Sequence, residues 1–331
     1  MLDMLVLFAA HGSAGEQGGM PPSAPATPSP RSNIFVGPNG VRAGWRLLLF
    51  LGVAVVYGWV LGVLARRLGR GIRGFTPFAL GLADGVPFLA IFLSALTMGA
   101  LEKRSLAHYG LPLRQAFGAD FWKGAAWGFL ALSALLLLLR AHHNFYFGAL
   151  ALSGPALAKF AGAWAVAFLL VGFFEEFLFR GYSLFTLSSG MGFWRSAILL
   201  SILFGAVHLR NPGEEWIGGM AAALIGLFFC LTLRRTGSLW FAVGLHASWD
   251  YAESFLYSVP DSGAVATGHL LNSSFQGSRW LTGGSVGPEG SVLVFVIIGL
   301  MFVAFDRLYR DARFPPSAVS DRPSRADLSL G

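Results

Sequence analysis

From Trp45 onward the chain passes through one long apolar run after another, and this pattern dictates the kind of fold it can adopt. A bilayer needs roughly 20 apolar residues for each helical span. Backbone groups in lipid find no water, so only helices or closed barrels can cross. Unbroken apolar runs, rather than alternating ones, point to helices. The expected fold is therefore all-α, a multi-pass transmembrane helical bundle of about eight spanning helices. Expected spans run from Trp45 to Leu64, Phe75 to Leu101, Gly124 to Leu139, Ala156 to Leu187, Phe193 to Leu209, Trp216 to Leu233, Leu239 to Leu256 and Val292 to Phe305. Over 331 residues, 55% are hydrophobic and only 12% charged, which excludes an ordinary soluble domain.

Three parts are expected: a flexible tail over 1–43, rich in Gly, Pro, Ser and Ala, a transmembrane domain over 44–306, and a basic tail over 307–331. Leu2 to Ala10 is apolar but short and has no preceding positive charge, so a secretory signal is not expected; Met20 is an alternative start. The net charge of +7 resides in the links between apolar runs, which favours orientation in a membrane over binding nucleic acid. Lys and Arg are more numerous on the side shared by both termini, giving an N-in, C-in expectation. The loop carrying Arg66, Arg67, Arg70 and Arg73 argues the other way. A single cysteine, Cys230, excludes an intramolecular disulfide and a thiolate metal cluster.

Ionisable residues in apolar runs are rare and functional by default. The run Phe173-Phe174-Glu175-Glu176-Phe177-Leu178-Phe179-Arg180 holds three, two of them adjacent glutamates. On a helix Glu176 and Arg180 share a face and can pair, whereas Glu175 points about 100° away. Glu175 is then the candidate base and Glu176 with Arg180 a structural pair; the alternative is that both acids only pair with Arg180 and bridge helices. His208 closes Phe204-Gly205-Ala206-Val207-His208, with Phe204 one turn before it, and taken alone could be a plain interhelical hydrogen-bonder. In His246-Ala247-Ser248-Trp249-Asp250, the first and last residues share a face, where an Asp can orient an imidazole or complete a metal site. Glu175 and His246 fall near the middle of their expected spans, while His208 lies about 9 Å from the centre of its own.

Glu-Glu-x-x-x-Arg, Phe-x-x-x-His and His-x-x-x-Asp, in that order in successive apolar segments, resemble the CPBP family of CAAX proteases and bacteriocin-processing proteins. This family includes the type II CAAX prenyl endopeptidases. The resemblance covers about Trp45 to Phe305, with its motifs confined to Glu175–Asp250. It implies an intramembrane endopeptidase in which Glu175, assisted by His208, activates water against a peptide carbonyl. It also implies that His246 and the residue at position 250 serve the oxyanion. An ionised Asp cannot donate a hydrogen bond, so Asp250 is expected to orient His246, which donates. The bilayer and a peptide or lipopeptide substrate are the implied partners, with no nucleic acid. The implied location is an integral plasma or inner membrane if the source is bacterial.

A divalent metal such as zinc is the one cofactor considered. Glu175, His208 and His246 would hold it, although a metal-free carboxylate-activated water needs the same residues. No His-Glu-x-x-His occurs, and no tightly bound metal is expected. A rhomboid-like serine site lacks its frame around Ser188, and an aspartyl site needs paired Asp residues in Gly-rich helices, for which the only intramembrane candidates are Asp84 and Asp250. The rival classes are an ion- or proton-coupled transporter and a catalytically idle immunity or scaffold protein. Transporters often carry matching broken helices in both halves, whereas here the ionisable cluster lies wholly in the second half.

Overall fold

The computed structural model describes residues 33–37, 40–71, 74–211 and 213–314. Most of the two expected tails, and Met20, lie outside the described residues. Residues 33–42 make a small unit of their own. In it β1 (Val36–Gly37) pairs antiparallel with β2 (Gly40–Val41), and Asn33 Oδ1 accepts the amides of Phe35 and Val36 at 2.9 and 2.7 Å.

The rest is a helical bundle, as the apolar runs require. Its helices are α1 (Ala43–Leu68), α2 (Pro77–Glu102), α3 (Ala119–Ala141), α4 (Gly154–Glu176), α5 (Ser183–Met191), α6 (Phe193–His208), α7 (Trp216–Thr236), α8 (Trp240–Asp250), α9 (Arg279–Thr282) and α10 (Val294–Leu308). A π turn, Phe177–Tyr182, joins α4 to α5 across a kink at Gly181, whose ψ of −120° is not helical, and a second, Tyr251–Leu256, extends α8. Each expected segment is helical, with ends displaced by a few residues. Five of these helices are long and apolar enough to cross a membrane: α1, α2, α3, the joined helix over 154–191, and α7. By contrast α6, α8 and α10 have 16, 11 and 15 residues, so that length is met five times rather than eight.

Local signals set the helix ends. Thr76 Oγ1 accepts the Ala79 amide at 3.1 Å and Pro77 opens α2, where a missing N–H costs nothing. At the end of α7, Gly237 takes a left-handed φ of 74°, a conformation that any side chain would strain.

Helix α8 is apolar all round, and such a helix belongs in a core. Only His246 and Ser248 on it retain appreciable exposure. It lies directly against α3, where a side chain at Gly124 or Gly128 would collide with the carbonyls of Phe241 or Leu245. One at Gly244 would collide with that of Phe121. Small residues let helix backbones approach in lipid, where no hydrophobic force drives them together.

Two polar regions close the bundle's ends. At one, Glu102 accepts Arg46 Nε at 2.8 Å, Tyr182 Oη at 2.6 Å and Tyr109 Oη at 3.0 Å, joining α1, α2 and the first π turn. Tyr182 is fully buried and stacks on Phe50, with ring centroids 4.3 Å apart. Tyr182→Phe removes one donor to a carboxylate and is expected to cost about 1.5–3 kcal/mol, read as a lowered thermal unfolding midpoint in detergent.

The other end is covered by the long connector between α8 and α10. Its strand β4 (Ser274–Phe275) pairs antiparallel with β3 (Phe145–Tyr146). It is also tied by Thr267 N–H to the Phe75 carbonyl at 2.9 Å and by Arg279 Nη1 to Glu215 at 2.8 Å. Leu270, Phe275 and Leu281 pack onto the cores beneath, while Trp280 remains 45% exposed.

Candidate active site

Glu175 and Glu176 end α4, immediately before the π turn. An extra residue in the turn widens the helix, a feature frequent at functional sites. Glu176 and Arg180 form the expected pair, with Arg180 Nη1 at 3.1 Å from Glu176 Oε1 and neither side chain exposed. Arg180 fills its remaining surroundings with rings: its guanidinium lies 4.2 Å from the centroid of Phe204 and 5.2 Å from that of Phe229. Such faces attract a desolvated cation. Gly226 adjoins Arg180 Nη2 so closely that a Cβ there would meet it at 2.5 Å, so any larger residue must displace the guanidinium.

The same Glu176 Oε1 also accepts His246 Nδ1–H at 2.9 Å. Phe229 lies flat on His246, with centroids 5.3 Å apart and planes inclined by 10°. Glu176 therefore fixes both the arginine and the histidine. The Nδ1 side of the ring thus goes to Glu176, while Asp250, expected to orient His246, lies with Oδ2 3.5 Å from the other nitrogen, Nε2. The reason is geometric. Asp250 approaches from one turn along α8, while Glu176 reaches Nδ1 across the helix interface.

His208 is fixed differently. Its Nδ1 lies 2.8 Å from the Phe204 carbonyl, which can only accept, so Nδ1 carries the proton. In the neutral ring Nε2 then presents a lone pair. Glu175 Oε2 sits between the two imidazoles, 3.9 Å from His208 Nε2 and 3.7 Å from His246 Nε2, and has no hydrogen-bond partner. The offset in depth expected of His208 does not separate it from Glu175. Exposure divides the set in two: Glu175 is 21% exposed, His208 20%, His246 11% and Asp250 10%, against 0% for Glu176 and Arg180. The first four can meet a substrate and the last two cannot.

His208, His246 and Asp250 line a cavity of about 70 Å³, walled also by Phe204, Ile225, Phe229, Leu245, Trp249 and Ile298. Zinc ligands lie about 2.0–2.2 Å from the ion, so donors sharing it are about 3.3 Å apart. Glu175, His208 and His246 are spaced more widely. Among the described residues no three His, Cys, Asp or Glu side chains form a group that could hold an ion. As arranged, the set does not fit a bound metal.

Several residues of this site went unnoticed in the sequence. Phe229 and Gly226 look like ordinary α7 residues, and only their contacts with Arg180 and His246 mark them out. Glu253 lies one turn beyond Trp249 and accepts its indole N–H at 2.7 Å, a spacing that could have been read. Asp261 and Glu289 belong to the connector, where only its apolar residues drew notice.

This helical arrangement is that of an all-α integral membrane protein. Residues 157–252 match a family model described as Rce1-like, type II CAAX prenyl endopeptidase Rce1-like. The matched stretch begins within α4, ends two residues past Asp250 and contains all seven motif residues, so the resemblance to the CAAX proteases holds over it. The comparisons with curated proteins and with solved structures give no match.

Proposed function

We propose that the protein is an intramembrane endopeptidase that hydrolyses a peptide bond in or near the bilayer. The observation that carries this reading is Glu175 Oε2, which has no hydrogen-bond partner and lies between the Nε2 atoms of two imidazoles that line a cavity. The family matched over 157–252 supports the same chemistry at family level.

In this reading Glu175 takes a proton from water while the water oxygen bonds to the peptide carbonyl carbon. His246, doubly protonated among Glu175, Glu176 and Asp250, donates Nε2–H to the developing oxyanion. His208 Nε2 relays the proton from Glu175 to the departing nitrogen. The C–N bond breaks, leaving a carboxylate and an amine. Asp250 balances the charge of His246, and Glu176 with Arg180 holds the ring in place. Both termini lie on the inner side, so the cavity opens on the opposite face; peptides or lipopeptides reaching that face are the substrates.

The test is cleavage of a mixed peptide and lipopeptide library by detergent-purified protein, with and without chelator, beside His208→Ala. Activity is expected to survive chelation and to fall about 10²-fold or more in His208→Ala, with an unchanged unfolding midpoint. Full activity in His208→Ala would overturn the proton relay. Loss on chelation that added zinc restores would put a metal in the site.

A further inference from the structure

The polar groups lining the cavity are two histidines and three acids, Glu214, Asp250 and Glu289; no lysine or arginine lines it. Behind them Asp261 accepts Ser254 Oγ at 2.8 Å, and Glu289 Oε2 lies 3.3 Å from Ser262 Oγ. Glu253 is fully buried in the same region. Its Oε2 holds Trp249, and its Oε1 has no partner beside Gly287, in the turn that carries Glu289. Arg180 and Arg279 are each paired elsewhere, with Glu176 and Glu215. Asp250 balances His246, so the acids of the mouth with no lysine or arginine among the lining residues are Glu214 and Glu289.

Resting on the endopeptidase reading, we propose that this cavity selects peptides with a lysine or arginine side chain within about two residues of the scissile bond, roughly 7 Å of extended chain. It disfavours substrates whose C-terminal carboxylate falls there. The acids begin at the reacting centre, because Asp250 lies 3.5 Å from His246 Nε2. A flanking residue thus enters their field at once. The apolar wall accommodates the methylene stem of a lysine or arginine, whose charged head reaches the acids. A terminal carboxylate on that path supplies no cation and adds to the crowding of acids already there, which disfavours it as a partner.

The titration of the loop acids agrees. Burial, with Asp261 and Glu214 as neighbouring charges, pushes Glu289 up to about 8. Burial likewise raises Asp261 to about 6. A cation placed among them relieves that repulsion and favours their ionised forms.

The experiment uses full-length protein and three quenched-fluorescence peptides, identical except for lysine, norleucine or glutamate beside the cleaved bond. A charge-assisted contact is expected to raise kcat/KM for the lysine peptide about tenfold over norleucine, with glutamate slowest. Glu289→Gln combined with Asp261→Asn is expected to bring the lysine-to-norleucine ratio to about 1, while Glu289→Asp keeps the preference. Equal kcat/KM for all three peptides overturns the selection and leaves the endopeptidase reading standing. Fluorescence anisotropy measures binding of the same peptides. Tighter binding of the lysine peptide without cleavage supports the selection and sinks the hydrolytic reading. Equal binding without cleavage sinks both.

Discussion

Glu175→Gln is expected to reduce turnover about 10²–10⁴-fold, the contribution typical of a positioned general base, and to leave the fold intact. The substitution is nearly isosteric, and Glu175 Oε2 makes no hydrogen bond that an amide would forfeit. The side chain is also 21% exposed, so no fully buried charge is stranded. Helix content and unfolding midpoint should match wild type while cleavage disappears. Wild-type activity in pure Glu175→Gln protein would show that the base is another group.

Glu176→Gln is expected to behave in the opposite manner, as a stability defect first. Its carboxylate neutralises Arg180 at 3.1 Å and accepts His246 Nδ1–H at 2.9 Å, both through Oε1. Gln keeps one acceptor oxygen but loses the charge, leaving Arg180 uncompensated where no solvent reaches it. Removing one partner of a buried pair costs about 3–5 kcal/mol. A lower unfolding midpoint in the same detergent would register this. Pairing Glu176→Gln with Arg180→Met should recover much of the stability, because no charge is left buried. Activity should stay low, since His246 would still lack its anionic acceptor. A midpoint unmoved by Glu176→Gln would mean that the pair contributes little.

The outcome of the sequence reading follows from what spacing can report. Apolar runs located the helices because lipid permits few alternatives, and the i, i+4 relation placed Arg180 beside Glu176 and Asp250 near His246. That relation concerns one helix at a time. It could not show that Glu176, 70 residues from His246 in sequence, is its orienting partner. Nor could it show that Phe229 on α7 stacks on the same ring. The tautomer of His208 depends on a backbone carbonyl that every residue possesses, so no side-chain pattern encodes it. Composition does not separate residues that face protein from residues that face lipid: α8 is buried on nearly every side, whereas α6 and α10 keep exposed apolar residues such as Ile202 and Leu300. The acids of the connector were hidden by their distance along the chain from the motifs they adjoin.

The π turn over Phe177–Tyr182 has a genetic consequence. It stores one residue more than an ordinary helical path would use, and everything after it, including Tyr182 on Glu102, is placed by that count. Losing a single codon there would rotate α5 by about 100° relative to α4, with the chemical character of the segment unchanged. This stretch should therefore tolerate many exchanges of one apolar residue for another, but no change in its length. In the descent of such a protein, the number of residues between Glu176 and Tyr182 would be guarded more closely than most of their identities.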